Sequence, residues 1–188
     1  QAAEKRILYV FSKFQKVDVC FSGGKDSIAL LLMVIYTMRK HGIDFKRLSV
    51  TFVDEEAIFP DVPGVVEHYR RVVMSLGAKF NWLCLPWRHY NCTNTLRDEE
   101  SWAAESVQRT SFLFQQGYDG VGGLKKRRFL FHVIYDWKDT DVWKIIKDNN
   151  AVFPQTYISL WKVGAKLRMS QIFAADTCQS IPKMLVFY

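Results

Sequence analysis

The sequence predicts an α/β fold, and three observations carry that prediction. Apolar runs rich in β-branched and aromatic residues alternate with amphipathic stretches over the first half of the chain. Glycine, proline or acidic residues follow each predicted strand, as is typical of loops. The length of 188 residues and the hydrophobic content of 49% suit one globular domain. Regular alternation of this kind favours a Rossmann-like three-layer sandwich with a mostly parallel sheet.

The first half of the chain shows the order helix, strand, helix, strand, helix, strand. Ile7, Phe11 and Phe14 recur at spacings of four and three, which predicts an amphipathic helix over residues 2–14. The elements predicted after it are a strand at 17–21, a helix at 26–40, a strand at 48–53, a helix at 65–76 and a strand at 80–85. Pro63 lies near the start of the third helix, where proline is favoured.

The second half is less regular. It contains a predicted helix at 103–114, a glycine-rich loop at 116–123, a strand at 129–135 and a helix at 140–148. We expect Asp139 or Thr140 to be the N-cap of that last helix. We further expect residues 1–150 to form the α/β domain and residues 151–188 to form a C-terminal helical extension of it.

The charge balance favours anionic partners. The chain has 26 Lys and Arg against 19 Asp and Glu, a formal net charge of +7. Such a surplus suits nucleotides or nucleic acid, although it says nothing about the fold. The composition excludes a disordered or collagen-like chain.

The cysteines indicate a reducing compartment. The chain has 4 cysteines, and no two of them form the Cys-x-x-Cys spacing of a zinc ribbon or an iron–sulfur site. Cys20 and Cys84 lie within apolar runs, so we expect both thiols to be buried. The longest apolar stretch, residues 28–36, covers about half a membrane span. These features predict a cytoplasmic protein with no membrane association.

One loop carries the chemistry. Residues 22–27 read Ser-Gly-Gly-Lys-Asp-Ser and join a predicted strand to a predicted helix. Gly23 and Gly24 let backbone N–H groups approach phosphate oxygens, while the helix presents its positive end to the anion. We expect Lys25 to add a charge, and Ser22 and Ser27 to donate hydrogen bonds. Asp26 suits the site if it binds Mg²⁺ or caps the helix. The alternative is a capped turn without a ligand.

Other candidate residues follow the later strands. Asp54 ends the second strand, where ligands of such sheets bind, so it is a candidate for adenosine or Mg²⁺. His89 and Cys92 follow the third strand, although single residues of this kind on a loop are more often exposed or structural. The basic run 125–128 is either a solvated surface or a clamp on pyrophosphate or a nucleic-acid backbone.

The loop at 22–27 resembles the PP-loop of the N-type ATP pyrophosphatases, in the adenine nucleotide alpha hydrolase-like superfamily. Three further segments resemble blocks of the phosphoadenosine phosphosulfate (PAPS) reductase family. They are residues 52–60, the Glu-Ser-x-x-Arg element that ends at Arg109, and residues 134–143. Within that family the sequence resembles the IbrA-type proteins and the ATP pyrophosphatases of DNA phosphorothioation systems. The resemblance assigns catalytic roles to Lys25, Asp26 and Arg109, whose guanidinium would face phosphate or sulfate.

The resemblance also has a departure. PAPS reductases end in Glu-Cys-Gly-[Ile/Leu]-His, and Cys178 lacks those neighbours. The resemblance therefore implies an ATP- and Mg²⁺-dependent pyrophosphatase that adenylates an acceptor oxygen for sulfur incorporation, with a DNA phosphate as one candidate. A sulfur donor protein, either a cysteine desulfurase or a thioredoxin-like protein, would be its partner. The alternatives are a thiol-dependent sulfonucleotide reductase and a nucleotide-sensing or nucleic-acid-binding regulator without turnover.

Overall fold

The computed structural model describes residues 2–54, 58–84, 121–124 and 128–164. The chain divides into two compact units. The first comprises Gln1–Asp54, Asp61–Leu85 and Gly120–Pro154, and the second comprises Glu55–Pro60, Pro86–Asp119 and Gln155–Tyr188. The predicted division of the chain at residue 150 stays a prediction.

The first unit begins with regular alternation of helices and strands. Its elements are α1 (Ala2–Lys13), β1 (Val17–Cys20), α2 (Lys25–Lys40), a 3₁₀ helix (Phe45–Arg47), β2 (Leu48–Asp54), α3 (Val62–Ser75), β3 (Lys79–Cys84), β4 (Val121–Leu124), β5 (Arg128–Phe131) and α4 (Asp139–Asp148). The described part of the second unit contains α5 (Thr156–Lys162), in which Tyr157 and Leu160 are buried. No helix in the described ranges is long and apolar enough to cross a membrane.

The first unit contains a parallel sheet of β1, β2 and β3, in that order. Val19 pairs with Val50, and Val50 with Phe80, so these residues share one face. Val19 and Val50 are buried there, and Phe21 extends this packing through edge-to-face contacts with Phe80 and with Tyr69 of α3. The α/β class and the parallel sheet are thereby confirmed.

The opposite face of the sheet carries several polar side chains. The Thr51 hydroxyl donates to Asp18 at 2.9 Å, and the Asn81 amide donates to Ser49 and Thr51 at 3.0 and 3.1 Å. Cys20 is on this face and is exposed, because side chains alternate along a strand and Val19 occupies the buried side. Cys84, the last residue of β3, is exposed as well. The prediction of two buried thiols is wrong.

The glycine-rich stretch is partly a strand. Residues 121–124 form β4, which pairs antiparallel with β5, whereas the sequence predicted a loop over 116–123. Glycine has a poor intrinsic preference for strands, so only the partner strand reveals the pairing. β5 ends at Phe131, earlier than the predicted strand, and a turn follows at 133–136.

The start of α4 differs from the prediction by one position. Lys138 is the N-cap, and its backbone N–H donates to the Asp141 carboxylate at 2.8 Å, so neither Asp139 nor Thr140 caps the helix. The apolar face of α4 is buried at Val142 and Ile146. Asp139, at the first position of the helix, instead accepts a hydrogen bond from Lys25 of the loop at 22–27.

Candidate functional site

The loop at 22–27 joins β1 to α2 at the carboxyl end of the sheet. The Phe21 N–H donates to the Thr51 carbonyl at 2.9 Å, which extends the strand pairing up to the loop. α2 begins at Lys25 and runs for 16 residues. Its N-cap is Gly24, so no side chain of the N-cap itself covers the first turn. The N–H groups of the first turn and the dipole of a helix end of this kind favour an anion.

Position 23 requires glycine, both because of its backbone conformation and because of the side chains around it. Its φ is +75°, a region that residues with a side chain rarely adopt. A Cβ atom at this position would lie 2.9 Å from Cγ1 of Val62 and 3.1 Å from Cγ2 of Val66. The first turns of α3 therefore lie directly against the loop, and only glycine fits without displacement.

The two serines organise the loop from within. Their hydroxyl oxygens are 3.2 Å apart, and the Ser22 N–H donates to Ser27 Oγ at 3.3 Å. Ser27 Oγ donates to the Gly24 carbonyl at 2.9 Å. These bonds hold the loop in shape without a ligand. Donation from Ser22 and Ser27 to phosphate stays a prediction.

Lys25 is a buried charge whose ammonium contacts two carboxylates. The residue is 3% exposed, and its Nζ lies 3.0 Å from Asp26 Oδ1 and 2.8 Å from Asp139 Oδ1. Burial by itself lowers the pKa of Lys25, but the hydrogen bonds to Asp139 and Asp26 outweigh that effect and raise it above its ordinary value. The lysine is therefore a fixed positive charge at the start of α2.

Asp26 faces solvent, with a side chain that is 63% exposed. It is thus accessible to an ion, and the binding of Mg²⁺ by Asp26 stays a prediction. The described residues contain no group of three or more His, Cys, Asp or Glu side chains that could hold a metal ion. One carboxylate still fits Mg²⁺, because that ion commonly keeps several waters and takes its other oxygens from substrate phosphates.

Asp54 ends β2 at the same edge of the sheet as the loop. Its Oδ2 accepts a hydrogen bond from the indole Nε1 of Trp82 at 2.9 Å, and the Trp82 ring packs edge-to-face on Phe52. No pattern in the sequence indicated a role for Trp82. Cross-strand register brings it there, since Phe52 of β2 pairs with Trp82 of β3.

Asp139 is the site residue that sequence reasoning missed. It is 114 residues from Lys25 along the chain, and the sequence analysis considered it only as an N-cap. The one signal for it was its position within the block at 134–143, where no residue had been assigned a part in binding or catalysis. Arg109, the third predicted catalytic residue, lies outside the described residues. The other candidates outside them are His89, Cys92, Cys178 and residues 125–127.

One curated protein is similar to the chain in sequence. No protein-family model matches the sequence. The chain is 22% identical over 235 residues to the uncharacterized protein YbdN of Escherichia coli (strain K12), with 92% of the chain and 57% of that protein covered. The chain thus spans a little over half the length of the curated relative it matches.

The likeness to a solved structure shows the fold. The crystal structure of phosphoadenylyl-sulfate (PAPS) reductase from Candida auris, in a phosphate complex, matches with a TM-score of 0.55 and 11% identity. The match covers 92% of this chain and 89% of that one. The chain therefore has a fold like that of this PAPS reductase. A cytoplasmic location stays a prediction.

Proposed function

We propose that the chain binds Mg-ATP at the loop 22–27, cleaves the bond between the α- and β-phosphates and adenylates an acceptor oxygen. One observation carries the proposal: a buried lysine ammonium is fixed at the start of a 16-residue helix, beside a glycine that cannot bear a side chain. A strand–loop–helix with these features suits a phosphate chain. The PAPS reductase-like fold supports the same class of ligand.

Each loop residue has a part in the proposal. The N–H groups at the start of α2 and the Lys25 ammonium stabilise negative charge on the phosphates. Asp26 holds Mg²⁺, which when bound withdraws charge from the phosphate oxygens. Asp54 orients the adenosine from the end of β2, and Arg109 contacts phosphate. These two assignments rest on position in the fold and on the resemblance, respectively.

The reaction needs no nucleophile from the protein. The acceptor oxygen attacks the α-phosphorus, the bond from that phosphorus to its bridging oxygen breaks, and pyrophosphate leaves. A phosphate acceptor is already ionised, so no proton need be removed from it. The adenylated oxygen then becomes a leaving group that sulfur can replace. A DNA backbone phosphate, with a cysteine desulfurase or thioredoxin-like protein as sulfur donor, is the acceptor that the resemblance favours.

The test measures AMP and pyrophosphate after incubation with Mg-ATP, with and without DNA. We expect Lys25→Met and Asp26→Asn each to lower the rate by about 100-fold, the usual scale for loss of a group that stabilises a charged transition state. Lys144→Met and Asp148→Asn are matched controls, because they remove the same charges from exposed positions of α4. No pyrophosphate from the unaltered protein under any condition would contradict the proposal, because pyrophosphate leaves in the adenylation step itself.

A second candidate is a thiol-dependent PAPS reductase, favoured by the fold of the solved neighbour. In that reaction a thiol donor is oxidised to a disulfide as sulfite leaves the nucleotide. Release of sulfite from PAPS with a thioredoxin-type donor, without AMP from ATP, would favour it. Tight ATP binding without any product would instead favour a nucleotide-sensing regulator.

A further inference from the structure

A carboxylate from a distant part of the chain is the second partner of Lys25. Asp139 Oδ1 accepts from Lys25 Nζ at 2.8 Å, a shorter contact than either of those to Asp26, at 3.0 and 3.2 Å. Asp139 is at the start of α4, and α4 packs against α2. The Lys25–Asp139 pair therefore connects the loop to a separate helix of the same unit.

The two carboxylates lie on the solvent side of a buried lysine. The Lys25 side chain is 4% exposed, whereas those of Asp26 and Asp139 are 63% and 74% exposed. A phosphate group that arrives from solvent thus meets an ammonium already held by two acids. In the proposed function Asp26 turns to Mg²⁺, and Asp139 is then the carboxylate that still holds Lys25.

We propose that Asp139 is a positioning residue that holds the Lys25 ammonium in place for the phosphates of the nucleotide. This proposal rests on the function proposed above. Asp139 suits the task because its backbone is fixed. α4 is anchored by the buried Val142 and Ile146, and the Asp141 carboxylate caps its first turn. A negative charge at a helix N-terminus is itself favourable, so the helix end suits a carboxylate at this position.

The first test is nucleotide affinity. The probe is α,β-methylene-ATP, a nucleotide that cannot be cleaved between its α- and β-phosphates. Its binding in the presence of Mg²⁺ is measured by calorimetry. We expect Asp139→Asn to weaken binding by about five- to tenfold, the scale of one charge-assisted contact that is partly screened by solvent. Asp139→Glu should recover part of the loss. Tighter or unchanged binding by Asp139→Asn would show that the carboxylate competes with the phosphates or is idle, and would overturn the proposal.

A matched control separates positioning from stability. Asp141→Asn removes the same charge from the same helix end, but Asp141 caps α4 and does not hold Lys25. We expect Asp141→Asn to lower the melting temperature without the change in affinity. Equal losses of affinity in Asp139→Asn and Asp141→Asn would mean that the helix end, and not the contact with Lys25, is responsible.

A double-mutant cycle tests whether Asp139 acts through Lys25. In a Lys25→Met background, Asp139→Asn should have little further effect on affinity, because the ammonium that it positions is gone. Additive losses would overturn the proposal.

A spectroscopic measurement keeps the contact and the proposed function distinguishable. In protein with ¹⁵N-labelled lysine, an ammonium held in a buried ion pair exchanges its protons slowly and gives its own cross-peak, which Lys25→Met assigns. We expect Asp139→Asn, but not Asp141→Asn, to broaden or remove that cross-peak. An unchanged cross-peak would overturn the positioning role. Failure of the unaltered protein to bind the nucleotide would contradict the proposed function, whatever the cross-peak does.

Discussion

Gly23 is a residue at which a single added methyl group has two separate costs. Its φ of +75° is unfavourable for alanine by about 1–2 kcal/mol. A Cβ 2.9 Å from Val62 also forces the start of α3 to shift, and such overpacking costs about 1–3 kcal/mol. We expect Gly23→Ala to lower the free energy of unfolding by about 2–5 kcal/mol, measured by urea denaturation.

The chain offers a control for each cost. Gly42 has a φ of +63° but open space around its Cβ position, so Gly42→Ala should show the backbone cost alone. Val62→Ala removes the nearer clashing atom, so the double variant Gly23→Ala/Val62→Ala should be less destabilised than the sum of its parts. Equal effects of Gly23→Ala and Gly42→Ala would mean that contact with α3 plays no part.

At this scale the sequence predicted which residue types form the site, but not their contacts. The spacing of Gly23, Gly24 and Lys25 between a strand and a helix was enough to predict a cradle for phosphate. The partnership of Lys25 with Asp139 was not predictable, because it depends on how α4 packs on α2. The contact of Val62 with position 23 was not predictable either, because it depends on how α3 packs against the loop.

At the scale of elements, the contact between α1 and α2 has its own pH dependence. Glu4 of α1 accepts hydrogen bonds from Lys40 at 2.8 Å and from His41 at 2.9 Å, both at the end of α2. These contacts lower the pKa of Glu4 from 4.5 to about 2. Because the folded-state pKa is depressed, the ionised carboxylate favours the folded state above pH 4.5. That contribution is lost as the pH falls towards 2.

We expect Glu4→Gln to remove this contribution. The difference in unfolding free energy between the unaltered protein and the variant should be full near neutral pH and should shrink as the pH falls from about 4.5 towards 2. Urea denaturation at several pH values measures it. Asp148→Asn is the control, because Asp148 is an exposed acid at the end of α4. A difference that stays constant with pH would mean that the ionised Glu4 does not stabilise the contact.

The long periodic helices were predictable from the sequence, whereas the short glycine-rich strand β4 was not. The predicted helices at 2–14, 26–40 and 140–148 are confirmed as α1, α2 and α4, with ends that differ by one residue. Their apolar periodicity is a property of the segment itself. β4 escaped prediction because two of its residues are glycine and its only signal is its partner β5. Exposure of Cys20 was missed because it depends on which face of the sheet is covered.

At the scale of the whole molecule, one ion pair joins residues near the two ends of the first unit. The Arg6 guanidinium of α1 donates to the Asp136 carboxylate from its two terminal nitrogens, at 2.7 and 2.8 Å. The two residues are 130 positions apart in the sequence. It also donates to the Val133 carbonyl at 2.9 Å and lies over the Tyr135 ring. Arg6 therefore fixes the turn that leads into α4, the helix that carries Asp139.

The Arg6–Asp136 pair should contribute more to the free energy of unfolding than a typical surface salt bridge, but less than a buried one. The side chains are 26% and 40% exposed, so solvent screens the attraction, while the two-point geometry fixes the arginine. We expect a double-mutant cycle of Arg6→Ala and Asp136→Asn to give a coupling energy of about 1 kcal/mol in urea denaturation.

The Arg6→Ala variant also tests whether the Arg6–Asp136 ion pair affects nucleotide binding at the loop 22–27. Because Arg6 holds the turn just before α4, Arg6→Ala should loosen Asp139 and weaken nucleotide binding by about two- to threefold, less than Asp139→Asn itself. Lys5→Ala is the control, since Lys5 is an exposed neighbour on the same helix with the same charge. Calorimetry with α,β-methylene-ATP and Mg²⁺ measures the affinity. Unchanged affinity in Arg6→Ala, with the expected loss of stability, would confine the role of this ion pair to holding the first unit together.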